Sequence, residues 1–203
     1  MIGAVLAAAT RLVVGGQAHW QGCAPDARAR IYFANHTSHL DTLILWSALP
    51  PALRARTHPV AARDYWGRSA LRRHIAQSVL GAVLIERGGC MCPDTDPLAE
   101  ARALVAAGQS LILFPEGTRG PEALPGRFRS GLYHLARACP EAELVPAYLA
   151  NPARAYPKGA IVPVPILCSA RFGAPMALGA DESRAAFLER AHGAVCQLAG
   201  GAA

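Results

Sequence analysis

The octet NHTSHLDT at residues 35–42 sets two imidazoles, three hydroxyls and a carboxylate between an apolar run, RIYFA, and a helix-like stretch, LILWSAL. A carboxylate beside an imidazole fixes its tautomer and stabilises the imidazolium, so the other ring nitrogen can act as a general base. His36 and Asp41 are five apart, which on one continuous helix would put them on different faces. If the helix begins at Ser38, His36 stands on the incoming loop, and Asp41 in the first turn can reach back toward it. The backbone N–H groups of a helix start also favour negative charge nearby. His39 then points elsewhere and is read as incidental. A structural reading also fits: S-x-x-D is a capping-box pattern, with Ser38 as the N-cap and the histidines as bystanders.

A second heptad, FPEGTRG at 114–120, directly follows the apolar run SLIL. Proline, glycine and arginine at a strand end make a tight turn that presents the Arg119 guanidinium. Glu116 could order that turn or accept a hydroxyl hydrogen bond. Here too a structural reading stands beside the chemical one: a surface turn clamped by a local Arg119–Glu116 pair.

The elements that must position these residues alternate. Strands are expected at 30–34, 58–62, 82–86, 110–114 and 143–149, and helices at about 39–48, 65–79, 95–107 and 130–138, with a last helix from Asp181. Strands alternating with helices imply an α/β fold with a mixed, largely parallel central sheet flanked by helices. No repeat, low-complexity segment or linker divides the 203 residues, so one domain over 1–203 is expected. The Pro/Gly-rich stretch 151–165 reads as an irregular surface excursion.

Composition narrows the function. Hydrophobic residues make up 52% of the chain, yet no apolar run approaches the roughly 20 residues that span a bilayer. The longest, MIGAVLAAAT, ends at Arg11 and has no basic residue before it, unlike a secretory signal. It reads either as a helix over about 1–15 lying in a membrane interface or as an ordinary helix packed on the core. The net charge is +6, and Lys158 is the only lysine, so the positive charge is almost all arginine. That suits phosphate-bearing partners. Nucleic acid is not expected, since no binding motif or basic stretch with interleaved aromatics occurs. The six cysteines include no CxxC pair, and the CMC at 90–92 has no histidine at zinc-finger spacing. No metal site is expected, and scattered thiols suggest a reducing compartment. A serine hydrolase is disfavoured because there is no G-x-S-x-G elbow.

Taken in order, these motifs resemble the glycerolipid acyltransferase family, the 1-acylglycerol-3-phosphate acyltransferases and their relatives. Asn35, His36, Ser38 and Asp41 match N-H-x-S-x-x-D, and Phe114 to Arg119 match F-P-E-G-T-R without a change. GAVLIER supplies Gly81 and Arg87 of a further motif, and VPAYL from Val145 supplies another. In FRSG, Arg129 stands where the family usually has lysine.

The resemblance implies that a fatty acyl group passes from acyl-CoA or acyl-carrier protein to the free hydroxyl of a lysophospholipid. No covalent acyl-enzyme and no cofactor beyond the donor are implied. His36 would remove the hydroxyl proton and Asp41 would orient it. Arg87, Gly117, Thr118, Arg119 and Arg129 would bind the acceptor around its phosphate, and Glu116 would bind the acceptor or brace the turn. The expected acceptor is 1-acylglycerol-3-phosphate, giving phosphatidic acid. The alternatives are another lysolipid or an amino-acid lipid acceptor, or a non-catalytic module that binds lipid or acyl-carrier protein. The expected setting is bacterial phospholipid biosynthesis on the cytoplasmic face of the inner membrane, with peripheral contact to anionic lipid.

Overall fold

The computed structural model describes residues 2–63, 73–85, 96, 98–120, 122, 124–156 and 164–200. The chain runs α1 (Ile2–Val14), β1 (Gly15–Trp20), β2 (Arg30–Ala34), α2 (Asp41–Ala48), α3 (Pro51–Arg54) and β3 (Thr57–Ala62). A π-helical turn (Ile75–Val79), β4 (Val83–Ile85), α4 (Ala99–Ala106), β5 (Ser110–Leu113) and α5 (Gly131–Ala138) follow. The chain closes with β6 (Glu143–Ala150), α6 (Pro152–Ala155), β7 (Cys168–Phe172) and α7 (Arg184–Gly200).

The strands form one sheet in the order β1-β7-β6-β2-β5-β3-β4. Every neighbouring pair is parallel except β6 and β7. This is the mixed, largely parallel sheet that the alternating pattern implies. The central strands explain themselves: β2, RIYFA, and β5, SLIL, are buried along their whole length, as parallel strands covered on both faces must be. Tyr32, Ala34, Val145 and Ala147 pack with α1 and α2 on one face. Ile31, Phe33, Leu111 and Leu113 pack with α4, α5 and α7 on the other.

α2 buries Ile44, Leu45, Trp46, Ser47 and Ala48. A helix apolar all round must be covered on all sides, and α1 supplies the cover. Arg11 of α1 caps α2: its Nε donates to Ser47 O at 2.8 Å and its Nη2 to Leu49 O at 3.2 Å. A cation at those carbonyls also complements the helix dipole.

The site is positioned by topology. The chain leaves β2 through α2 on one face toward β3, and leaves β5 through α5 on the other face toward β6. β2 and β5 are adjacent and parallel, so their connections diverge in opposite directions. Such a switch point opens a crevice at the carboxyl ends of the two strands. His36 and the FPEGTRG turn both stand there.

The structure departs from the sequence expectation in several elements. β1 and β7 are additional strands. β1, GGQAHW, opens on two glycines at φ 78° and 60° and exposes Gln17 and His19, as an edge strand can. β7 follows the stretch expected to be irregular, and within that stretch Pro152–Ala155 forms a helical turn. The helix expected at 39–48 starts at Asp41, after a turn. Of the helix expected at 65–79, residues 65–72 lie outside the described residues, and Ile75–Val79 is π-helical. The last helix begins at Arg184 rather than Asp181. Ser183 serves its first turn, accepting from Ala186 N at 3.2 Å, while Glu182 binds Arg190 instead.

Candidate active site

β2 ends at Ala34, and Asn35 carries the strand pairing one step further with its side chain. Its Nδ2 donates to Leu149 O at 3.1 Å, and its Oδ1 accepts from Leu149 N at 2.7 Å. The fully buried amide thus stands in for a peptide unit of the β2–β6 ladder and releases the backbone to turn. The turn delivers His36 to the crevice and brings Asp41 back beneath it.

Asp41 Oδ2 collects three donors. His36 Nδ1 lies 2.8 Å away, Thr37 N donates at 2.6 Å and Ser38 N at 2.8 Å. The side chain of Asp41 is 0% exposed and that of His36 17%. A buried carboxylate is costly unless hydrogen-bonded, and these donors compensate it. Asp41 Oδ1 and Thr37 Oγ1 are buried without a partner among the described residues, so the compensation is one-sided, directed at the oxygen that faces the imidazole. Facing a carboxylate, His36 Nδ1 carries the proton, which leaves the lone pair on Nε2. The ring stacks on Phe114, with centroids 4.4 Å apart and planes at 22°.

The capping box expected at Ser38 does not form: the N-cap of α2 is Leu40, with no side-chain cap hydrogen bond. Asp41 Oδ2 instead braces the preceding loop by accepting from Thr37 N and Ser38 N, and the same oxygen faces His36 Nδ1. Ser38 is not the N-cap itself, because the helix starts later; its Oγ accepts from Leu40 N at 3.3 Å.

The FPEGTRG turn is tied to the octet through Glu116, which is 7% exposed. Oε1 accepts from His36 N at 2.7 Å and Oε2 from Gly126 N at 2.9 Å. Gly120 N in turn donates to His36 O at 2.8 Å. Of the two roles open to Glu116 in the sequence, the geometry displays the brace: it holds the backbone of the histidine itself. Gly117 has φ 72°, and a Cβ there would lie 2.9 Å from Arg129 Cδ. Arg129 Nε donates to Glu116 O at 3.0 Å and its backbone N to Pro115 O at 2.8 Å. The guanidinium thus lies against the glycine of the turn. Thr118 and Arg119 are exposed on the same turn. Arg87 lies outside the described residues, as does the CMC at 90–92.

One expectation needs correction: His39 is not incidental. Its Nε2 lies within hydrogen-bonding reach of Arg119 Nη1, so the octet meets the phosphate-suited turn through a side chain as well as through Glu116. His39 stands one position before Leu40 at the mouth of α2, and only the folded juxtaposition of β2 and β5 brings it to residue 119.

The described thiols are poor competitors for the histidine. Burial pushes Cys168 up to about 11, with the charge of Asp41 adding to the shift. Burial likewise raises Cys23, Cys139 and Cys196. Among the described residues no cluster of histidine, cysteine or carboxylate side chains could hold a metal ion, and no helix is long and apolar enough to cross a membrane.

Fold and site together define an α/β protein with a carboxylate-oriented histidine at a sheet switch point, beside an arginine-bearing turn. The acyltransferase family model matches residues 18–166, a span that holds every site residue named above, and the chain belongs to that family. Its fold is similar to that of the crystal structure of the 1-acyl-sn-glycerophosphate (LPA) acyltransferase PlsC from Thermotoga maritima. The TM-score is 0.75 at 17% identity, over 98% of this chain and 78% of that one. Among curated proteins, no sequence matches.

Proposed function

We propose that the protein moves a fatty acyl chain from the thioester of acyl-CoA or acyl-carrier protein to the free hydroxyl of a lysophospholipid, with 1-acylglycerol-3-phosphate as acceptor and phosphatidic acid as product. The observation that carries this reading is the His36–Asp41 pair, tautomer-fixed and 2.8 Å apart at the crevice. The acceptor hydroxyl gives its proton to His36 Nε2 while its oxygen bonds to the thioester carbonyl carbon. Asp41 stabilises the imidazolium that forms. The tetrahedral oxyanion collapses, the C–S bond breaks, and the departing sulfur takes the proton back from His36. The acyl group passes directly to the acceptor.

Arg119 and Arg129 hold the acceptor phosphate at the turn, where the Arg129 side chain lies against Gly117 and Thr118 lines the same turn; Arg87 is assigned the same ligand on its motif alone. Arginine suits this role because its fork matches phosphate oxygens in pairs. Glu116 contributes by bracing. Peripheral contact with an anionic membrane on the cytoplasmic side belongs to the same proposal; the exposed apolar residues of α1, Ile2, Val5 and Leu12, the last 87% exposed, support the membrane contact alone. The apolar strip continues to Leu167, also exposed, which packs beside Gly15 where α1 meets β1.

Purified protein, acyl-CoA and lysophosphatidate, followed by free thiol, test the reaction. Thiol release that requires the acceptor, with phosphatidate formed in equal amount, is the expected result. Release without acceptor would mean a thioesterase, and phosphatidate-free binding of the lipids alone would mean a binding module.

A further inference from the structure

The C-terminal helix reaches the loop at 124–129 through the His192 side chain. His192 of α7 directs Nε2 at Pro125 O, 2.8 Å away. A carbonyl oxygen only accepts, so Nε2 carries the proton and donates. The next residue, Gly126, donates its N–H to Glu116 Oε2 at 2.9 Å, and Glu116 Oε1 takes the N–H of His36 at 2.7 Å. His36 then meets Asp41. A path therefore joins residue 192 to residue 36 through two hydrogen bonds to the Glu116 carboxylate, the Pro125–Gly126 peptide unit and the His192–Pro125 hydrogen bond.

Packing reinforces the path. The His192 ring stands edge-on to Phe128, with centroids 5.2 Å apart, and Phe128 stands edge-on to Phe33 of β2 at 6.3 Å. The segment 124–129 has no regular secondary structure, so no strand or helix ladder fixes Gly126. Its amide is placed by what holds Pro125 and Phe128, and His192 touches both.

We infer that His192 is a positioning residue for acyl transfer: by anchoring Pro125 it aims the Gly126 amide at Glu116, which in turn fixes the backbone of His36. The inference rests on the proposed role of His36 for its kinetic part only; the anchoring is testable without turnover. Phenylalanine at 192 keeps a ring on Phe128 and removes the donor, whereas glutamine keeps a donor of similar reach.

The test compares wild type, His192→Phe and His192→Gln by amide hydrogen exchange and by acceptor-dependent thiol release. Losing one hydrogen bond should speed exchange at Gly126 and His36 about three- to tenfold and lower kcat by a similar factor. Both KM values should stay within about twofold, since the substrates' own contacts are untouched. His192→Gln should restore most of both effects. In a Glu116→Gln background, His192→Phe should add little, because the path is already cut. Exchange at Gly126 and His36 and kcat all at wild-type values in folded His192→Phe would overturn the inference. So would a fully additive loss in the double variant. Wild type without acceptor-dependent release would instead refute the acyl-transfer reading, and the exchange data would still decide whether His192 anchors the loop.

Discussion

Asp41 performs two tasks with one oxygen, and the tasks can be separated by substitution. Asparagine at 41 can keep one oxygen on the three donors that Oδ2 collects, but it loses the charge and buries an NH2 where the partnerless Oδ1 stands. Asp41→Asn should therefore lower stability by about 1–3 kcal/mol, the cost of leaving buried donors unpaired. It should also reduce kcat/KM by up to about 10²–10⁴-fold, the usual worth of general-base catalysis, because the imidazole loses the partner that holds its tautomer. Denaturant melts give the first figure, and assays of the fully folded variant give the second; an unchanged kcat/KM would restrict Asp41 to bracing the loop. Arg119 is tested by partitioning the kinetic constants. A charge-assisted hydrogen bond is worth roughly 1.5–3 kcal/mol, so Arg119→Ala should raise the acceptor KM by about 10- to 150-fold and leave the donor KM nearly unchanged. A matched rise in both, together with a lower melting temperature, would make Arg119 a turn clamp. At this scale the sequence singled out His36 and Asp41 as a pair by their types and spacing, and the structure brings them within 2.8 Å. It did not decide between binding and bracing for Glu116, since both need the same carboxylate; the partners, His36 N and Gly126 N, are set by the meeting of two loops. His39 and His192 carry no local signal, being 80 and 67 residues from Arg119 and Pro125, the groups they contact.

Among the elements that carry candidate site residues, the FPEGTRG turn has a tightly constrained backbone. Gly117 combines φ 72° with Arg129 side-chain atoms 2.9 Å from any added Cβ. Gly117→Ala should cost about 1–3 kcal/mol through strain and push the Arg129 side chain off the turn, so acceptor KM should rise along with the drop in melting temperature. A variant as stable as wild type with normal kinetics would show that the turn is looser than its geometry implies. The buried strands were legible because continuous apolar runs such as RIYFA have few other uses. β7, CSARF, does alternate, with Cys168, Ala170 and Phe172 buried. It is short and follows a Pro/Gly-rich stretch, which hid the period. β1 exposes polar residues on an edge and offers no pattern to find. The start of α2 moved from Ser38 to Asp41 because Oδ2 of Asp41, rather than Ser38 Oγ, satisfies the loop amides.

For the whole molecule, the diverging connections from β2 and β5 place a carboxylate-paired histidine and an arginine-bearing turn at one crevice, and α1 adds an apolar outward strip. If that strip meets a membrane surface, binding should be stronger to anionic than to neutral vesicles and should weaken with salt. Leu12→Asp, at a position 87% exposed, should weaken vesicle binding by about tenfold or more, given the 1.5–3 kcal/mol of a buried leucine, without altering the melting curve. Equal binding to both vesicle types, or unchanged binding by Leu12→Asp, would contradict this orientation. The most direct test of the central claim is acceptor-dependent thiol release by folded His36→Ala. The account predicts a loss on the order of 10²–10⁴-fold with a wild-type-like melting curve, and turnover above about a tenth of wild type would remove His36 from the base role.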